Sequence, residues 1–177
     1  MVNAITCLFR KKVTSDSPVP DDEIEKIGRE LKCGVDRVFG HSLAIRELDT
    51  GSDNAAEIEI NNLTNPFYDV ERFGISFVAS PRHADVLMIT GAVTHNMAIA
   101  AQKTYEAMPS PKYVIAVGDD ACSGGIFAGT YGVMGGADTL FPVDLKIPGN
   151  PPSPQEILAG LLALMKKADG KRQDTHA

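Results

Sequence analysis

Apolar positions along this 177-residue chain switch between two periods. From Ile24 they recur at steps of three and four, through Ile27, Leu31, Val35 and Val38, one stripe of an amphipathic helix. Asp21 or Asp22 is placed to cap it, and Glu23 and Glu25 favour the positive end of its dipole. Gly34 weakens this helix and Gly40 ends it. Ser42–Leu48 alternates apolar and polar residues and predicts the first strand. Asp49–Asn54 is a loop in which Asp53 or Asn54 caps a helix over Ala55–Leu63, broken by Asn65-Pro66. Gly74–Ala79 and Asp85–Thr90 predict two further strands. A helix over Thr94–Met108 follows, stopped by Pro109 and Pro111. Tyr113–Val117 is a β-branched apolar run of the kind buried on both faces of a sheet. Thr139–Lys146 predicts a last strand, and Pro154–Lys167 a terminal helix with Ile157, Leu158, Leu161, Leu162 and Met165 on its buried stripe.

Strands alternating with helices predict an α/β fold, a parallel, doubly wound sheet with helices on both faces plus an N-terminal helix. Residues 1–20, with Arg10-Lys11-Lys12 and a Ser/Pro-rich run, read as a flexible arm. Residues 21–168 read as one domain and 169–177 as a disordered polar tail. Loops that follow parallel strands meet on one sheet edge. Gly51–Asn54, Ser80–Arg82, Thr90–Thr94, Gly118–Ser123 and Pro148–Pro152 are therefore expected to share a rim.

Composition narrows the partners. A net charge of -6 argues against nucleic acid. No run approaches the ~18 apolar residues of a membrane span. The three cysteines, Cys7, Cys33 and Cys122, are scattered and odd in number, which implies no disulfide framework and a reducing, cytoplasmic setting.

Candidate chemistry gathers at the expected rim. Asp53, Asp119, Asp120 and Asn150 offer oxygen ligands for a hard cation, although turn chemistry explains each of them equally. Cys122 and His95 suggest a nucleophile and base without a local signature. Thr90-Gly-Ala-Val-Thr94 opens a helix after a strand, where an anion could bind, but it lacks the spaced glycines of a dinucleotide fingerprint. Arg82 and His83 beside Pro81 read as loop-orienting or partner-facing residues.

Longer strings carry a resemblance. Asp69–Gly91 (DVERFGISFVASPRHADVLMITG), Met108–Gly118, Gly124-Gly-Ile-Phe127 and Phe141–Gly149 resemble the iron–sulfur small subunit of group 4 membrane-bound [NiFe] hydrogenases, including the formate hydrogenlyase type. They are also similar to the 20 kDa subunit of NADH-quinone oxidoreductase, respiratory complex I. The likeness covers roughly Ser42 to Met165 and implies a flavodoxin-like fold. It also implies one [4Fe–4S] cluster, a partner of the hydrogenase large-subunit or complex I 49 kDa kind, and a cytoplasmic chain that reaches the inner membrane only through its complex. The ligand frames read Gly51-Ser-Asp53-Asn-Ala-Ala56, Gly118-Asp-Asp120-Ala and Ile147-Pro-Gly-Asn150-Pro-Pro. Asp53, Ala56, Asp120 and Asn150 thus stand where the family has cysteine. No bound cofactor, metal ligand or catalytic residue is expected. The resemblance therefore implies a cluster-less paralogue with a structural or assembly role, not catalytic by itself. The alternative is an electron-transferring subunit with an atypical cofactor.

Overall fold

The computed structural model describes residues 22–176; the N-terminal arm read from the sequence lies outside the described residues. The elements in chain order are α1 (Asp22–Val38), β1 (Leu43–Asp49), α2 (Ala55–Asn62), β2 (Ile75–Phe77), β3 (Val86–Thr90), β4 (Val93–Thr94), α3 (His95–Ala107), β5 (Tyr113–Val117), α4 (Asp119–Ser123), β6 (Val133–Gly135), β7 (Leu145–Ile147) and α5 (Pro154–His176). Five strands form one sheet in the order β2-β1-β3-β5-β7, and every pairing is parallel. Counting only those five, the order is 2-1-3-4-5, that of a flavodoxin-like sheet, whose crevice lies where the winding reverses, between β1 and β3.

Helices cover both faces. On one, Ile24, Leu31 and Val35 of α1, Ile60 of α2, and Ile157, Leu161 and Met165 of α5 pack over Ile45, Met88, Ile115 and Val117. On the other, Ala101 of α3 and Ala121 and Cys122 of α4 pack over Leu48, Leu87, Ile89 and Ala116. β3 is buried at all five positions and β5 at four of five, which is why both read as continuous apolar runs. Helix α1 closes against its neighbours through Gly28, where an added methyl would overlap the Phe73 ring. The Arg72 guanidinium beside that ring pairs with Glu25.

Carboxylates finish the sheet where the ladder stops. Asp85 Oδ2 accepts the Ala44 N–H at 2.9 Å, and Asp144 Oδ2 accepts the Val114 N–H at 3.0 Å. Ser153 and Glu156 form a capping box at the start of α5, with Glu156 Oε2 accepting from the Ser153 N–H at 2.7 Å and from its hydroxyl at 2.8 Å.

Three sequence expectations change. The last strand is Leu145–Ile147, whereas Ala137–Thr139 forms a 3-10 turn. The reason is that Phe141 turns into the core, and Pro142, with no N–H, cannot join a ladder. Helix α5 runs on to His176, past Lys167, and Asp169 on it accepts from Arg37 of α1 at 2.9 Å. The strand Gly74–Ala79 shortens to Ile75–Phe77, and a two-stranded antiparallel ribbon, β4 with β6, was not foreseen. Among the described residues no helix is long and apolar enough to cross a membrane.

Candidate functional site

Four of the five rim loops meet around one small void. Ser52, Asp53 and Ala56 come from the β1–α2 connection, Gly91 from the end of β3, Gly118 to Asp120 from the end of β5, and Gly149 to Pro151 from beyond β7. Ser80–Arg82 does not line it, because that segment follows β2, the edge strand beyond β1. The void measures about 10 Å³, room for roughly one water molecule.

Its walls are stitched by backbone and carboxylate groups. Asp49 Oδ1 accepts the N–H groups of Gly51 at 2.7 Å and Ser52 at 2.8 Å, setting the first loop. Beneath it the Thr50 hydroxyl, fully buried, donates to Thr90 O at 3.0 Å. Thr94 Oγ1 donates to Thr50 O at 2.9 Å and accepts the Met97 N–H as the cap of α3. The N–H groups of Thr94 and His95 go to Thr50 O and Gly132 O, so this helix start spends its donors inside the fold. Sequence reasoning missed Asp49 and Thr50. The Asp-Thr-Gly-Ser string after an alternating strand was the available signal, since Asp commonly bonds the backbone two and three residues on.

The positions singled out from sequence are brought together. Asn54 starts α2 at φ 71 with no side-chain cap bond, while Asp53 Oδ1 accepts the Ala55 N–H at 3.0 Å. Ala56 is buried on the first turn of α2. Asp119 Oδ1 accepts the Gly149 N–H at 2.9 Å, tying the β5 loop to the Asn150 loop. Asp120, on the first turn of α4, sets its carboxylate against Gly125 at the start of the next segment. Gly125 follows at φ +51, and a side chain there would collide with that carboxylate. Burial, then the charges of Asp53 and Asp119, push the Asp120 carboxyl above its ordinary range. Cys122 and His95 are separated by role: the thiol is buried with Sγ 3.6 Å from Ala116 O, and His95 is exposed on the first turn of α3. Burial also pushes the Cys122 thiol up to about 11, which leaves it a packing group at neutral pH. Arg82 and His83 are both exposed on a 3-10 turn, away from the void.

Residues 54–164 match the family described as NADH ubiquinone oxidoreductase, 20 kDa subunit. The chain belongs to that family. It is 43% identical over 143 residues to formate hydrogenlyase subunit 7 of Escherichia coli, covering 81% of this chain and 56% of that protein. It thus spans little more than half of that relative. It is 38% identical to an NADH-quinone oxidoreductase subunit of Bacteroides thetaiotaomicron, covering 89% of this chain and 85% of that one. Among solved structures it resembles a chain of the membrane-bound sulfane sulfur reductase, an archaeal respiratory membrane complex, with TM-score 0.67 and 35% identity over 80% of this chain and 77% of that chain. A [NiFeSe] hydrogenase from Desulfovibrio vulgaris Hildenborough shares the fold alone, at TM-score 0.51 and 17% identity, covering 75% of this chain and 64% of that one.

Members of the 20 kDa-subunit family bind iron–sulfur clusters, and such clusters are held by cysteine thiolates. The positions that the resemblance equates with the cluster cysteines do not fit one: they carry two carboxylates, an amide and a methyl group, and the Ala56 side chain has no donor atom. The nearest thiol, Cys122, points into the core. Among the described residues, no group of three His, Cys, Asp or Glu side chains is arranged to hold a metal ion.

Proposed function

We propose that this chain is a cluster-less member of the 20 kDa-subunit family that serves as a structural or assembly subunit of an oxidoreductase complex. It would act by docking its rim on a partner of the large-subunit kind. One observation carries the reading: the three loops that the resemblance equates with the family's ligand frames close on one another, with Asp53, Ala56, Asp120 and Asn150 around a void of about 10 Å³. A surface kept without its redox group is a surface kept for contact. The docking face is supported by what stands beside the void. Ile126 is 81% exposed, Tyr131 100% and Met134 39%, on one segment from Gly125 to Gly135. Single exposed apolar residues are ordinary, but three large ones on a segment that starts against Asp120 support a contact surface there.

On this reading the chain lies on the cytoplasmic side and reaches the membrane through its complex, as the membrane complexes among its relatives suggest. Affinity purification of the tagged chain from its native cells tests the role. A stoichiometric large-subunit homologue is expected to co-purify. Recovery as a lone monomer under gentle extraction, at native expression levels, would count decisively against the proposal.

A further inference from the structure

The exposed segment Gly125–Gly135 starts at the acidic side of the void, because Gly125 lies directly against the Asp120 carboxylate, where an added side chain would collide with Oδ1. Asp53 is exposed, Asp120 half-buried, and both line the same void. Among the described residues no lysine or arginine forms an ion pair with Asp53, Asp119 or Asp120. Lys146, the basic residue that approaches α4, is committed to Cys122 O at 2.6 Å and Asp138 at 2.7 Å. The segment bearing Ile126, Tyr131 and Met134 therefore starts against Asp120, which with Asp53 lines the void without a basic ion-pair partner among the described residues.

We propose that the partner surface covering Ile126, Tyr131 and Met134 carries a lysine or arginine that seats against Asp53 and Asp120. The proposal rests on the docking role above and specifies the chemistry of what docks. Covering the apolar patch takes the neighbouring carboxylates out of water, and desolvated charges are tolerated only when paired. A second copy of this chain would bring the same acidic pair against itself, and an anionic lipid surface would meet like charge, on a protein of net charge -6. A protein face with a basic side chain satisfies both halves of the site. In cysteine-bearing relatives those positions are occupied by cluster ligands, so the demand for a cation belongs to this chain's own substitutions.

The test uses the complex purified from native cells and the full-length chain. The dissociation constant for the co-purified partner is measured across salt concentrations for wild type, Asp53→Asn, Asp120→Asn and the double variant. Asparagine keeps the size of aspartate and, at position 53, an oxygen to accept the Ala55 N–H, and circular dichroism confirms the fold. The double variant is expected to bind about tenfold or more weaker with a flatter salt dependence. Tyr131→Ser should weaken binding while leaving the salt dependence in place. Unchanged affinity and salt dependence in the folded double variant would overturn the inference, as would self-association through the patch. Should no partner be found at all, the docking role itself fails; a partner indifferent to Asp53 and Asp120 removes only this inference.

Discussion

At Asp120 a carboxylate does two things at once. It packs against Gly125, and burial, then the charges of Asp53 and Asp119, disfavour its ionised form. Because its folded-state pKa lies above the ordinary carboxylate value, the native chain binds more protons than the unfolded chain in the window between the two. Stability therefore falls as pH rises through that window. Asp120→Asn is expected to stabilise the fold slightly at neutral pH, by about 0.5 kcal/mol or less given its solvent screening, and so to raise the melting temperature. Thermal melts of both proteins should converge in acid; a variant less stable at every pH would contradict this. Stabilisation with loss of binding is the pattern of an interaction surface held at some cost to the fold. The cysteines give a second residue-level test. Exposed Cys33 should react with iodoacetamide at mild pH, while buried Cys122 stays unmodified until the protein unfolds, as read by peptide mass spectrometry. Fast native-state labelling of Cys122 would contradict the packing described here.

At the scale of elements, legibility tracked how much of an element's pattern comes from burial. β3 and β5 were readable because both faces are covered, and α1 because one stripe is. β4 and β6 were not, since two- and three-residue strands show no period, and their pairing depends on a distant chain reversal through Gly124 and Gly125. The Thr139–Lys146 strand was misread because Phe141 and Val143 serve the core from irregular backbone, which apolar alternation cannot distinguish from a strand. The same limit applies to the site. The meeting of the Asp53, Asp120 and Asn150 loops was expected from the sheet's winding, whereas Gly125, which packs against Asp120, belongs to a loop whose course the sequence does not state. Packing of α1 supplies the prediction at this scale. Gly28→Ala forces a methyl into the Phe73 ring and should cost about 1–3 kcal/mol. Urea unfolding would show a lower midpoint with unchanged slope; an unaltered midpoint would mean that α1 does not seat on Phe73.

For the whole molecule, the proposed reading separates topology from chemistry. The chain belongs to the 20 kDa-subunit family and has a five-stranded parallel sheet with a rim of loops at the β1–β3 reversal, while the positions that the resemblance equates with cluster ligands carry Asp53, Ala56, Asp120 and Asn150. A fold can outlast a change of its site, because function lives in particular side chains placed on it. Iron and acid-labile sulfide, counted per chain in protein purified anaerobically from native cells, test this most directly. The account predicts neither above trace levels, together with full native structure in their absence. About four irons and four sulfides per chain, the content of one [4Fe–4S] cluster, would contradict it and make the protein an electron carrier.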